Sequence, residues 1–146
     1  MASESRLIVS AQAQKVMQEQ AEQTYPHECC GLLVGRSSKG VIEAFQACPV
    51  DNLNNERAHD RFDLDPQGFQ RVDRQARAEK LEIVGVYHSH PDHPARPSET
   101  DRQSAWEGYA YWIGRVTQQG LQEGRAYLLW EDGAGFDEIA VEVSAD

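Results

Sequence analysis

Ile83-Val84-Gly85-Val86-Tyr87-His88, continued by Ser89-His90-Pro91, sets the architecture of this chain. The run is apolar without alternation, with Glu82 before it and Pro91 after it. A short apolar run bounded in this way predicts a central strand covered on both faces. It delivers His88 and His90 at its end. Residues i and i+2 of a strand point to one face with Cα atoms about 6.5 to 7 Å apart, so the two imidazoles can converge on one ion while Ser89 points away. Alone the pair is a weak signal, because histidines at a strand end also occur exposed or hydrogen-bonded to neighbours.

A central strand needs covering elements, and the sequence on both sides predicts them. On the N-terminal side, Pro66 stands at a first helical position behind Asp65, and Phe69, Val72, Ala76 and Leu81 recur at helical spacing. The Arg71, Arg74 and Arg77 side of that helix reads as a solvated face. Arg61-Phe62-Asp63-Leu64-Asp65 alternates at period two and predicts a short strand after the Asn-rich loop 51–56. His27 to Gly35 and Val41 to Val50 read as a strand hairpin. Ser10 to about Thr24, without Gly or Pro, reads as a helix capped by Ser10, stopped by Pro26 and buried through Val16, Met17 and Ala21. Leu7-Ile8-Val9 is a short apolar start. On the C-terminal side, Ser98 opens a helix to about Trp106, and 109–116, 125–131 and 136–143 read as strands. The expectation is α+β (α/β-like): one domain over 1–146 with a mixed sheet flanked by helices.

Composition limits the function. A formal charge of -10 opposes nucleic-acid binding, which needs concentrated Lys and Arg. No apolar run approaches the roughly 20 residues of a membrane span, and the N-terminus lacks a signal-peptide pattern, so a cytoplasmic protein is expected. The three cysteines, Cys29, Cys30 and Cys48, lack C-x-x-C spacing and read as reduced thiols.

Ser98-x-x-Asp101 resembles a capping box, although Glu or Gln is the usual third residue. Taken with the His pair and a proline-stiffened loop, the helix start can instead present Asp101 back to the strand end. Two His and one Asp, with a fourth position left to water, is how zinc is held for chemistry rather than for structure. Hydrolysis would then need a separate proton-transfer group.

His88-x-His90, seven intervening residues and Ser98-x-x-Asp101 form the complete H-x-H-x(7)-S-x-x-D signature of the JAMM (MPN+) metallopeptidases, which this chain resembles. The likeness extends over nearly the whole chain, through Tyr25-Pro26, Glu28-Cys29-Cys30-Gly31, Phe62 to Pro66 and Gly85-Val86-Tyr87. It is nearest to the small stand-alone prokaryotic members, including those that cut ubiquitin-like sulfur carriers at the C-terminus. The resemblance implies a curved mixed sheet of the JAMM/MPN, cytidine-deaminase-like type. It implies one Zn2+ per chain on His88, His90 and Asp101 with water as fourth ligand, Glu28 as general base and then acid, and Ser98 as oxyanion donor. It further implies hydrolysis of an amide bond after a Gly-Gly tail, for example releasing cysteine, and leaves a homodimer open. The alternative is a non-catalytic scaffold module of the same fold, against which every filled motif position counts. A DNA-associated relative is disfavoured by the acidic charge.

The remaining residues carry quieter expectations. His93 reads as a loop histidine at the site mouth rather than a fourth or substitute ligand. Cys30 reads as buried packing near the metal and Met17 as core filler. Trp106, Trp112 and Trp130 read as core or rim aromatics, and His27 and His59 as surface residues.

Overall fold

The apolar run lies within the fourth of seven strands in a computed structural model that describes residues 5–54, 56–58, 62–106, 108–130 and 132–145. In chain order the elements are β1 (Arg6–Val9), α1 (Ala11–Thr24), β2 (Cys30–Ser38), β3 (Val41–Val50), α2 (Pro66–Ala78), β4 (Glu82–Pro91), α3 (Glu99–Ser104), β5 (Ala110–Thr117), β6 (Gly120–Leu129) and β7 (Phe136–Val143). The strands close into a barrel in the order β1-β3-β2-β4-β5-β6-β7. β4 is paired on both edges, antiparallel to β2 and parallel to β5, as a central strand would be, although in a closed barrel every strand has two neighbours. The mixed α+β class therefore holds.

Each helix begins where a side chain can satisfy its first N–H groups. Ser10 Oγ accepts from Ala13 N at 3.0 Å, and Asp65 accepts from Gln67 N at 3.1 Å with Pro66 in the first turn. α1 buries Ala13, Met17 and Ala21, one residue per turn, against Leu7, Val9, Leu33, Val84, Tyr87 and Trp112. Val16 is only half-buried. α2 buries Val72 and Ala76 against Leu32, Val34, Ile83 and Val86 on the other side. At Gly68 a Cβ would meet Val50 Cγ1 at 2.7 Å, so glycine lets α2 settle this close. Burying a Val- or Leu-sized side chain is worth about 1.5–3 kcal/mol, and the two helices supply that for both faces of β4. This is why its sequence shows no alternation.

Several boundaries differ from the sequence reading. Leu7-Ile8-Val9 is a strand, parallel to both β3 and β7, and it closes the barrel. β2 starts at Cys30 rather than His27, because Glu28 bonds outside the ladder: its N–H donates to Ala58 O and its C=O accepts from Asn52 Nδ2. The strand expected at 61–65 is reduced to one bridge between Leu64 and Asn52; Arg61, like Asn55 and His59, lies outside the described residues. α3 stops at Ser104, leaving Trp106 half-exposed beyond it. β6 starts five residues early, at Gly120, because pairing with β5 recruits a polar segment that shows no apolar pattern. Among the described residues no helix is long and apolar enough to cross a membrane.

Candidate metal centre

His88 and His90 stand near the end of β4, both about 1% exposed. Strand alternation points them to the α2 side, where Phe62 stacks on His88 with ring centroids 4.5 Å apart. After Pro91 the chain turns through a loop pinned at two places: Asp92 N–H donates to Val116 O at 2.8 Å, and Tyr127 OH donates to Ala95 O at 2.6 Å. That loop returns α3 to the strand end. Asp101 Oδ2 then lies 3.3 Å from His88 Nε2 and 3.2 Å from His90 Nε2, and the two Nε2 atoms are 3.1 Å apart.

Three ligand atoms of a tetrahedral zinc, at about 2.0–2.1 Å from the ion, lie about 3.3 Å from one another, so this triangle has the right size. Its chemistry also fits. The Pro94 carbonyl, 2.8 Å from His90 Nδ1, can only accept, so Nδ1 carries the proton and Nε2 presents a lone pair. Lone pairs on His90 and Asp101 are thus aimed at a common point that a cation would occupy. Burial opposes charge on Asp101, but the His88 imidazole beside it and the hydrogen bond from the Ser98 N–H work the other way, and the carboxyl is held well below its ordinary range.

The capping box is present as well. Ser98 Oγ accepts from Asp101 N at 3.0 Å, and Asp101 Oδ2 accepts from Ser98 N at 2.8 Å. The cap does not exclude the ligand reading: its backbone N–H orients the oxygen that faces the histidines. Ser98 Oγ acts only as acceptor in the cap, which leaves its O–H proton to donate elsewhere.

Glu28 reaches the same place from the segment just ahead of β2, whose first residue, Cys30, pairs with His88. Its side chain is 2% exposed, and one of its oxygens lies within 4.8 Å of a His90 ring nitrogen and of His93. Glu28, His90 and His93 thus form a second group of ligand-type atoms. The His90 and His93 rings are stacked at 17° with centroids 4.2 Å apart, however, so their in-plane lone pairs lie in separate, nearly parallel planes, a poor arrangement for sharing one ion. His93 is a partly exposed neighbour of the centre. Cys30 is buried packing, its Sγ 3.5 Å from Val50 O, and burial pushes its thiol up. Met17 and Trp112 lie in the core, Trp106 and Trp130 are half-exposed, and His27 is exposed. The three cysteines are free.

Sequence reasoning missed Phe62, Asn52, Tyr127 and the role of Ser89. Only Ser89 carried a signal: a hydroxyl between two ligand positions on a buried strand must find a partner on the opposite face. Beside Asp101 a cavity of about 380 Å³ opens, lined by Phe62, Leu64, Phe69, Trp106 and Tyr111.

Residues 10–130 match the prokaryotic homologs of the JAB domain. The chain is 36% identical over 122 residues to a desampylase of Haloferax volcanii, covering 77% of this chain and 86% of that one. It is 30% identical over 108 residues to the CysO-cysteine peptidase of Mycobacterium tuberculosis, covering 73% and 70%. A solved protein from Desulfitobacterium hafniense superposes with a TM-score of 0.82 at 26% identity, covering 96% of this chain and 94% of that one.

Proposed function

The chain belongs to the prokaryotic JAB-domain family, and from that premise we propose that it is a zinc-dependent peptidase acting on the C-terminal Gly-Gly tail of a ubiquitin-like sulfur carrier. The observation that carries this reading is the convergence of His88 Nε2, His90 Nε2 and Asp101 Oδ2 to within 3.3 Å, with the buried Glu28 carboxylate beside them. Zinc held by those three atoms would supply Lewis acidity, polarising the scissile carbonyl and making water acidic enough to attack near neutral pH.

The chain's own groups do the rest. Glu28 accepts a proton from the attacking water and returns it to the leaving amine, which splits the amide into acid and amine with no net proton change. Ser98 donates its O–H to the developing oxyanion. Pro94 O and Ser98 N–H fix the orientation of His90 and Asp101. The names of the relatives support the substrate class: one is a desampylase and another a CysO-cysteine peptidase. A scaffold without chemistry would not need a complete ligand set, a buried carboxylate beside it and a free hydroxyl proton in one place.

The test uses purified protein and a carrier ending in Gly-Gly-Cys, followed by mass spectrometry with metal analysis of the same sample. One zinc per chain and release of cysteine by the native protein, with loss of release in Glu28→Gln, are expected. Protein that binds no zinc, or Glu28→Gln that hydrolyses at the native rate, would overturn the proposal.

A further inference from the structure

Glu28 lies outside every regular element, two residues ahead of β2. Specific bonds set its position instead of a strand ladder. Its N–H donates to Ala58 O at 2.5 Å and its C=O accepts from Asn52 Nδ2 at 3.2 Å. Cys29, the next residue, is tied twice to Ser89: Cys29 N–H donates to Ser89 Oγ at 2.8 Å, and Ser89 N–H donates to Cys29 O at 3.1 Å.

Ser89 is wholly buried and stands on β4 between His88 and His90. The alternation that sends the two histidines to one face sends Ser89 to the other, where Cys29 lies. A hydroxyl in an apolar interior is costly unless it is bonded, and here it takes up the one backbone N–H that directly follows Glu28. We infer that Ser89 is a positioning residue for the reaction. Its hydroxyl ties the Glu28–Cys29 peptide to the strand segment that carries the metal ligands, so one residue sets the offset between base and metal. The inference rests on Glu28 being the base, as proposed above. Asn52 braces the same peptide from the opposite side, while its Oδ1 accepts from Asn54 N and Asp63 N in the loop that leads to Phe62.

A misplacement of about 1 Å can cost a catalytic group about 100-fold, so Ser89→Ala should lower kcat about 10- to 100-fold with KM within about twofold. Zinc should remain at one per chain, and the Cys29 amide should exchange its hydrogen faster. Ser89→Thr, which keeps the hydroxyl, should restore most of the rate. Should Ser89→Ala fold poorly, Asn52→Asp removes the donor to Glu28 O, keeps both acceptor bonds and should also lower kcat.

The deciding measurement is the double-mutant cycle. In a Glu28→Gln background, Ser89→Ala or Asn52→Asp should cost nothing further, because a residue that acts through Glu28 has nothing left to position. A purely structural serine would lower the rate equally in both backgrounds, and that result overturns the inference. So does full kcat in Ser89→Ala while Glu28→Gln falls to a small residual rate. Undiminished hydrolysis by Glu28→Gln would instead overturn the base assignment, and this inference with it.

Discussion

The two faces of β4 do opposite work with adjacent residues. Towards α1 it sends Val84 and Tyr87 into a core with Leu7, Met17 and Trp112. Towards α2 it sends Val86 into the second cluster, then His88 and His90 against Asp101, which lines the cavity. The α1 face is closed by packing: Tyr87 is fully buried, with its OH donating to Gln20 Oε1 at 2.5 Å, and Trp112 fills the space left by Gly114 and Gly124. The α2 face near the strand end is buried too, but by Phe62 and Asp101, which border an open cavity, and the His88, His90 and Asp101 atoms converge there. Buried polar groups are kept where a rigid opposite face holds them and an open cavity gives a substrate access. Substitutions on the two faces should therefore separate stability from chemistry.

The largest effect is expected on the metal-directed face. His88→Ala should abolish both zinc binding and carrier hydrolysis while leaving a folded chain, since the residue removes one of three ligands and only half of one stacked pair. Metal analysis and circular dichroism read the two halves of that statement. A zinc content still near one per chain would move the ligand set elsewhere.

Ser98→Ala should retain zinc and lose about 100-fold in kcat, the usual cost of one oxyanion donor. It should also cost about 1 kcal/mol of stability through the lost cap. If the variant loses its metal instead, the hydroxyl serves the cap alone.

The smallest effect on chemistry is expected behind the α1 face. A Cβ at Gly124 would meet the Trp112 indole at 2.5 Å, so Gly124→Ala should destabilise by about 1–3 kcal/mol. Its kcat per zinc-loaded molecule should stay native. Thermal melts with kinetics on the same sample test this, and a large fall in kcat would show that the two faces are not separable.

Much of this was legible in the chain because the relevant signals are local. The unbroken apolar run announced β4, Ser10 and Asp65 announced their helix starts, and the i, i+2 spacing placed His88 and His90 together. The capping box and the carboxylate ligand appeared as competing readings of Asp101; in the structure the oxygen that accepts from the Ser98 N–H is also the one that faces the histidines, so the two readings are geometrically compatible. Less local features were hidden. Val84 shares a face with Tyr87 because a bulge sets one extra β4 residue between the Leu33↔Gly85 and Val34↔Ile83 pairs. Counting by twos back from His88 assigns Val84 to the wrong side. Leu7-Ile8-Val9 has too few residues to announce a strand, and only its two parallel neighbours make it one.

The sequence by itself determined the residue types and spacings: a buried strand ending in two histidines, a stiff loop, a capped turn with a carboxylate, and a glutamate sixty residues before the first histidine. Tertiary structure alone decided how these meet. Closing the barrel through β1 and pairing β2 with β4 bring Glu28 beside the His88–His90 segment, and the Ser89–Cys29 bonds fix that approach to hydrogen-bond precision. The physical reason is range. Spacing along a strand or helix is set by backbone geometry within a few residues, whereas the distance between Glu28 and the histidines depends on bonds between segments that no local pattern records.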